Sequence, residues 1–189
     1  NRIAHVPAQA LPPQLRWLIL TDNAITELPA ELGQCTQMQK LMLAGNQLSA
    51  LPPELANCTR LELLRISANQ LTALPAWLLQ LPRLAWLAYA GNPFTRALET
   101  QALTQAPTPH MPWAQLQLQQ LLGQGASGVI HQAALRTHPG EQASQVAVKL
   151  FKGAITSDGL PDCEMGACMH VGQHPNLVGA IGRISAHPN

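Results

Sequence analysis

Apolar residues fall into two different rhythms along this chain. Through the first half they return in register every 23 residues: Leu15, Met38, Leu61 and Leu84 share one phase, Asn23, Asn46, Asn69 and Asn92 a second, and Pro29, Pro52 and Pro75 a third. The unit reads L-x-x-L-x-L-x-x-N-x-L-x-x-L-P-x-x-L-x-x-C/L-x-x. A fixed period of this length signals stacked supersecondary units that bury one continuous core. Each unit predicts one short strand with inward pairs: Leu18 and Leu20, Leu41 and Leu43, Leu64 and Ile66, Leu87 and Tyr89. Each asparagine is expected to close the bend after its strand by bonding exposed backbone groups. Cys35 and Cys58 hold the position that Leu81 takes in the third unit, so they read as buried filler rather than a metal pair.

From about residue 110 the rhythm changes. Gln115-Leu-Gln-Leu-Gln alternates with period two, as a half-exposed strand does. Residues 129–135 read as a second strand, 137–144 as a turn, and 145–151 as an apolar strand around one lysine. A loop over 153–161 leads to a helix over about 162–171, and 179–184 reads as a further strand. Before this module, residues 95–105 can close the repeats as a short helix, and 106–112 are a proline-rich, semi-extended spacer.

The repeat looks like the leucine-rich repeat, with an irregular partial unit at Val6-Pro7-Ala-Gln-Ala-Leu11-Pro12 and a last turn at Gly91-Asn92-Pro93-Phe94. The outward strand positions of such coils form a concave binding face. Here one column holds Trp17, Lys40, Leu63 and Trp86, and the next holds Ile19, Met42, Arg65 and Ala88. Aromatics, Met and Arg are the residue types enriched at protein interfaces. Trp17, Lys40, Met42, Arg65 and Trp86 are therefore the candidate contacts for a protein partner, with packing of Trp17 or Trp86 against flanking segments as the bland alternative.

Gly123, Gly125 and Gly128 stand as G-x-G-x-x-G, a pattern shared by two phosphate-binding designs. In one the glycines lead into a helix; in the other they form the tip of a β-hairpin. No segment of helical period follows Gly128, which selects the hairpin. With Val146-Ala-Val-Lys149 downstream, residues 113–189 resemble the protein kinase family. Leu122-Gly-x-Gly-x-x-Gly is similar to its glycine-rich loop, Ile130 stands where Val is usual, and Ala133 matches the small residue of the second strand. Gln173-His-Pro-Asn resembles the segment after the family's helix C.

The resemblance implies an ATP site. Gly123, Gly125, Ala126, Ser127 and Gly128 would cover the phosphates with backbone N–H groups, and Leu122, Ile130 and Ala147 would roof the adenine. Lys149 would sit on the α- and β-phosphates, held by Glu164 of helix C, with Mg²⁺ expected in the longer parent. The sequence contains neither H-R-D-x-x-x-x-N nor D-F-G, so this chain alone is expected to be inactive. It reads as an excised piece of an ATP-dependent kinase, Ser/Thr-directed at the family level. The alternative is a leucine-rich-repeat scaffold whose pseudokinase is a binding module.

The expected fold class is thus α/β: a leucine-rich repeat solenoid over 1–98, a cap and proline-rich linker over 99–112, and an incomplete protein-kinase-like N-lobe over 113–189, with a twisted antiparallel sheet and helix C. An uncovered adenine face is expected to make this second part the less stable.

Composition narrows the picture further. At 47% hydrophobic residues and 11% charged ones, the chain can build a core. A net charge of +1 without a basic run argues against nucleic acid, and no apolar stretch is long enough to span a membrane. Four cysteines without framework spacing suit a reduced, cytoplasmic setting. His170 and His174 have helical metal spacing but no third ligand, so no metal site is expected.

Overall fold

The computed structural model describes residues 2–105, 109–125, 127–138, 140–156, 158–170, 174–185 and 187. Four short strands, β1 (Trp17–Ile19), β2 (Lys40–Met42), β3 (Leu63–Arg65) and β4 (Trp86–Ala88), pair in parallel in chain order. The register steps by one repeat: Trp17, Lys40, Leu63 and Trp86 are mutual partners, as are Ile19, Met42, Arg65 and Ala88. Turns of 3-10 helix at Ala30–Gln34, Pro53–Asn57 and Ala76–Gln80 return the chain each time. Pro29, Pro52 and Pro75 stand immediately before them with extended backbone, where a fixed φ costs nothing and no N–H is needed.

The interior is one apolar column. Leu41, Leu43, Leu64, Ile66, Leu55 and Leu78 are fully buried, and Cys35 and Cys58 lie among them as free thiols. Leu18 and Leu20, in the first complete turn, are only partly buried against this core. Tyr89 departs from expectation: it is 40% exposed and stacks on Phe94 with ring centroids 5.8 Å apart. The coil after it is replaced by helix α1 (Arg96–Gln105), so no following repeat covers that ring.

The asparagines do more than close their own bends. Asn69 Nδ2 donates to Ile66 O and Ser67 O in its own turn and to Leu43 O of the preceding one, while its Oδ1 accepts from Leu48 N at 3.0 Å. Asn46 and Asn92 repeat the arrangement one rung to either side. At the open end, Asn23 bonds Leu20 O and Thr21 O and accepts from Ile3 N. Residue 92 also ends the ladder, because Thr95 Oγ1 both accepts from its N–H and donates to its carbonyl.

In the second half β6 (Leu116–Gln124), β7 (Gly128–Leu135) and β8 (Ser144–Phe151) form a three-stranded antiparallel sheet, and helix α2 (Pro161–His170) follows. One face carries an amide row in which Gln120 donates to Gln132 and Gln132 to Gln145, at 2.8 and 2.9 Å. The strand expected over 179–184 is instead β9 (Arg183–Ser185), and it does not join this sheet. It pairs in parallel with β5 (His110–Pro112), the end of the proline-rich spacer. Gly182 explains the choice: a Cβ there would lie 2.6 Å from Pro109 O, so only a glycine lets the two backbones approach.

Asn69→Ala takes the acceptor from Leu48 N in a dry turn and removes one of the donors to Leu43 O, Ile66 O and Ser67 O, and should cost about 1–3 kcal/mol. Leu64→Ala should cost about 2–5 kcal/mol, whereas Asn23→Ala, at the wetter end, should cost under about 1 kcal/mol. Urea denaturation of each variant checks the order.

Candidate functional site

The glycine motif lies at the tip of the β6–β7 hairpin. Gly125 N donates to Gly128 O at 2.9 Å and closes the tip, and Gly123 pairs with Ile130 across it. Ile130 in turn pairs with Lys149 on β8. Direct partners share a sheet face, as do residues two apart on a strand, so Ile130, Ala147 and Lys149 stand together beside the motif. Glycine is sterically required at 128, where a Cβ would lie 2.5 Å from Leu150 O. Around Gly123 and Gly125 a Cβ would meet open space instead, so the backbone of the tip is uncovered on that side.

Lys149 and Glu164 form a salt bridge between β8 and α2, each side chain about two-thirds buried. The ammonium also lies 4.9 Å from the centre of the Phe151 ring. Leu122 is 54% and Ile130 37% exposed, and Ala147 is exposed too. Ala126 lies outside the described residues, and Ser127 O accepts from Lys152 N. An open trough of about 660 Å³ runs between β8, α2 and residues 178–184, and Val146, Val148, Lys149, Glu164 and Met165 line it.

Two residues at this site were not legible as functional. Lys152 donates from Nζ to Gly125 O at 3.1 Å and so fastens the hairpin tip; a second cation three residues after Lys149 was its only signal. Glu99 of α1 accepts from Gly91 N and bonds the thiol of Cys163 on α2, joining the repeat cap to the helix that carries Glu164. Burial, followed by the Glu99 charge, pushes the Cys163 thiol up to about 11. Burial likewise raises Cys35, and raises Cys58 to about 11 with Cys35 adding to it. Among the described residues no group of three metal-ligating side chains comes together.

The strand face of the repeats presents the second candidate surface. Trp17 is 55% and Trp86 53% exposed, so neither is packed away by a flanking segment. Lys40 Nζ stands 4.1 Å over the Trp17 ring and Arg65 Cζ 5.6 Å over that of Trp86. Such stacking is worth about 0.5–1 kcal/mol at an exposed site, and it holds two flexible cations in place. Met42 accepts a weak bond from Arg65. Arg65 is not open along its whole length, because its Nε pairs with Asp158 of the second half at 2.9 Å.

A parallel ladder, an asparagine column and a 23-residue step together define a repeat solenoid. Residues 13–71 and 36–94 each match the family described as Leucine rich repeat. Residues 13–94 are therefore a leucine-rich-repeat array. Among solved structures it is similar to a leucine-rich-repeat protein of Leptospira interrogans, at 34% identity and a TM-score of 0.48, over 57% of this chain and 28% of that one. No curated protein matches the chain. No helix among the described residues is long and apolar enough to cross a membrane.

A thiol reagent at pH 8 should label exposed Cys168 first and half-buried Cys163 more slowly, with Cys35 and Cys58 following only on unfolding. Raising a thiol's pKa removes thiolate, the reactive form, at any pH below it. Labelling of Cys163 should therefore keep accelerating towards about pH 11 rather than level off near 9, which stopped-flow labelling with mass detection reads.

Proposed function

We propose that this chain is part of an ATP-dependent, Ser/Thr-directed protein kinase whose leucine-rich repeats bind a protein partner on their strand face, in a cytoplasmic setting. The observation that carries the reading is the Lys149–Glu164 pair lying beside a glycine hairpin of the G-x-G-x-x-G type. A carboxylate that holds an ammonium in one place makes it a preorganised counter-charge for phosphate oxygens. The open space beside Gly123 and Gly125 leaves room for phosphate oxygens to approach the hairpin backbone. Bound ATP with Mg²⁺ would supply the transferable phosphoryl group. Lys149 would hold the nucleotide's phosphates, Glu164 would hold Lys149, and Leu122, Ile130 and Ala147 would cover the base.

The runner-up is a repeat scaffold whose second half is only a binding module. Its support is that the second half is seated on the repeats through the Arg65–Asp158 pair, as a structural partner of the array would be.

In the whole protein, Lys149→Met should lower phosphoryl transfer by about 10²–10³-fold, the range for removing one preorganised electrostatic stabiliser. Transfer equal to wild type would refute the role given to Lys149, and absence of transfer and of nucleotide binding in the wild type would favour the scaffold. Replacing Trp17 and Trp86 together by Ala should weaken capture of the partner at least about 30-fold, since one central aromatic anchor alone is worth about 2 kcal/mol or more. Undiminished capture would move the binding surface elsewhere.

A further inference from the structure

The strand face is already partly occupied, by the chain's own turn ahead of α2. Thr156 and Gly159 bond each other's backbone, and Thr156 Oγ1 also donates to Gly159 O at 2.9 Å, so the turn is closed on itself. Its side chains then reach outward to the repeats. Ile155 covers Gly45, where a Cβ would lie 2.8 Å from the isoleucine Cγ2. Gly159, at φ +133°, lies against Ser67, whose Cβ is 2.8 Å from the position a side chain would take. Leu160 covers Gly91, and Asp158 pairs with Arg65. Small residues on three successive repeats (Gly45, Ser67 and Gly91) therefore receive one apolar, acidic, glycine-containing turn.

Two further links make this seat more than a passing contact. Arg65 is the same residue that stands over Trp86, so the carboxylate of Asp158 and the indole together fix the orientation of one guanidinium. Beyond the turn, α2 begins at Pro161, and Cys163 and Glu164 are its third and fourth residues. Cys163 is tied to Glu99 of the repeat cap and Glu164 to Lys149. A shift of the turn off the repeats thus acts directly on the first turn of α2.

We propose that this turn is an internal ligand of the repeat face. A protein partner presenting a loop with a carboxylate flanked by glycine and an aliphatic residue takes Arg65 in its place, and the exchange releases α2. The exchange itself needs only the contacts on the repeats. Its effect on the Lys149–Glu164 pair matters for nucleotide handling only if the kinase reading holds, and the experiment therefore reads the turn and not ATP.

Hydrogen exchange on the intact chain is the test. Asp158→Arg puts two cations face to face and should raise exchange of the amides of residues 159–165 at least tenfold while the repeat amides stay as in wild type. Combining it with Arg65→Asp restores the pair with reversed sign and should return protection to within about threefold of wild type. Unchanged exchange in Asp158→Arg, or no recovery in the double variant, overturns the proposal. Should the charge variant also loosen the repeats, Gly159→Ala serves instead, since its methyl meets Ser67 without altering charge; it should open the turn alone, and unaltered protection overturns the proposal. A synthetic peptide of residues 153–161 should bind the Asp158→Arg chain at least tenfold more tightly than wild type, because its seat is vacated. Equal affinity, or no binding to either, overturns the displacement by a partner.

Discussion

Backbone carbonyls at the end of each short strand set the terms for the repeat half. A three-residue strand followed by a sharp bend leaves polar main-chain groups inside an apolar column, where each unpaired one costs roughly 1–3 kcal/mol. The carboxamide is the side chain that can donate twice and accept at once, and here it does so across two turns: Asn69 bonds Ile66 O and Ser67 O in its own bend and Leu43 O in the one before. Because the same side chain satisfies two repeats, no repeat is finished by itself. Stability is then a property of neighbours, as nearest-neighbour coupling in stacked repeats requires.

That dependence explains how the ends are treated. At the C-terminal end Thr95 Oγ1 bonds the backbone N–H and carbonyl of Asn92, Glu99 takes up Gly91 N, and Tyr89 turns out to stack on Phe94. The cap is thus polar in its bonding and only partly apolar in its packing. Through Glu99, whose charge bears on Cys163, it also lies against the second half.

Much of this was legible in the sequence because a repeat states each rule several times. The phase of Leu41, Asn46 and Pro52 fixed strand, bend and return, and the two outward columns emerged in the stated register. The glycine hairpin and its two flanking strands were equally readable, since alternation and a turn leave few other arrangements. What failed were positions whose environment is set by a neighbour far along the chain. Tyr89 obeys the inward pattern but lacks a following coil. Residues 179–184 look like a strand, yet which edge they join depends on Gly182 meeting Pro109. Arg65 was readable as an outward cation, but its partner Asp158 lies in a segment with no periodicity to betray it.

The row of glutamines across β6, β7 and β8 has an electrostatic corollary. Amides carry no net charge and do not titrate, so this part of the sheet is cross-linked by bonds that added electrolyte does not shield and acid does not discharge. The same strands elsewhere rely on an ion pair to hold their helix. One module therefore combines a fastening indifferent to its medium with another that responds to it.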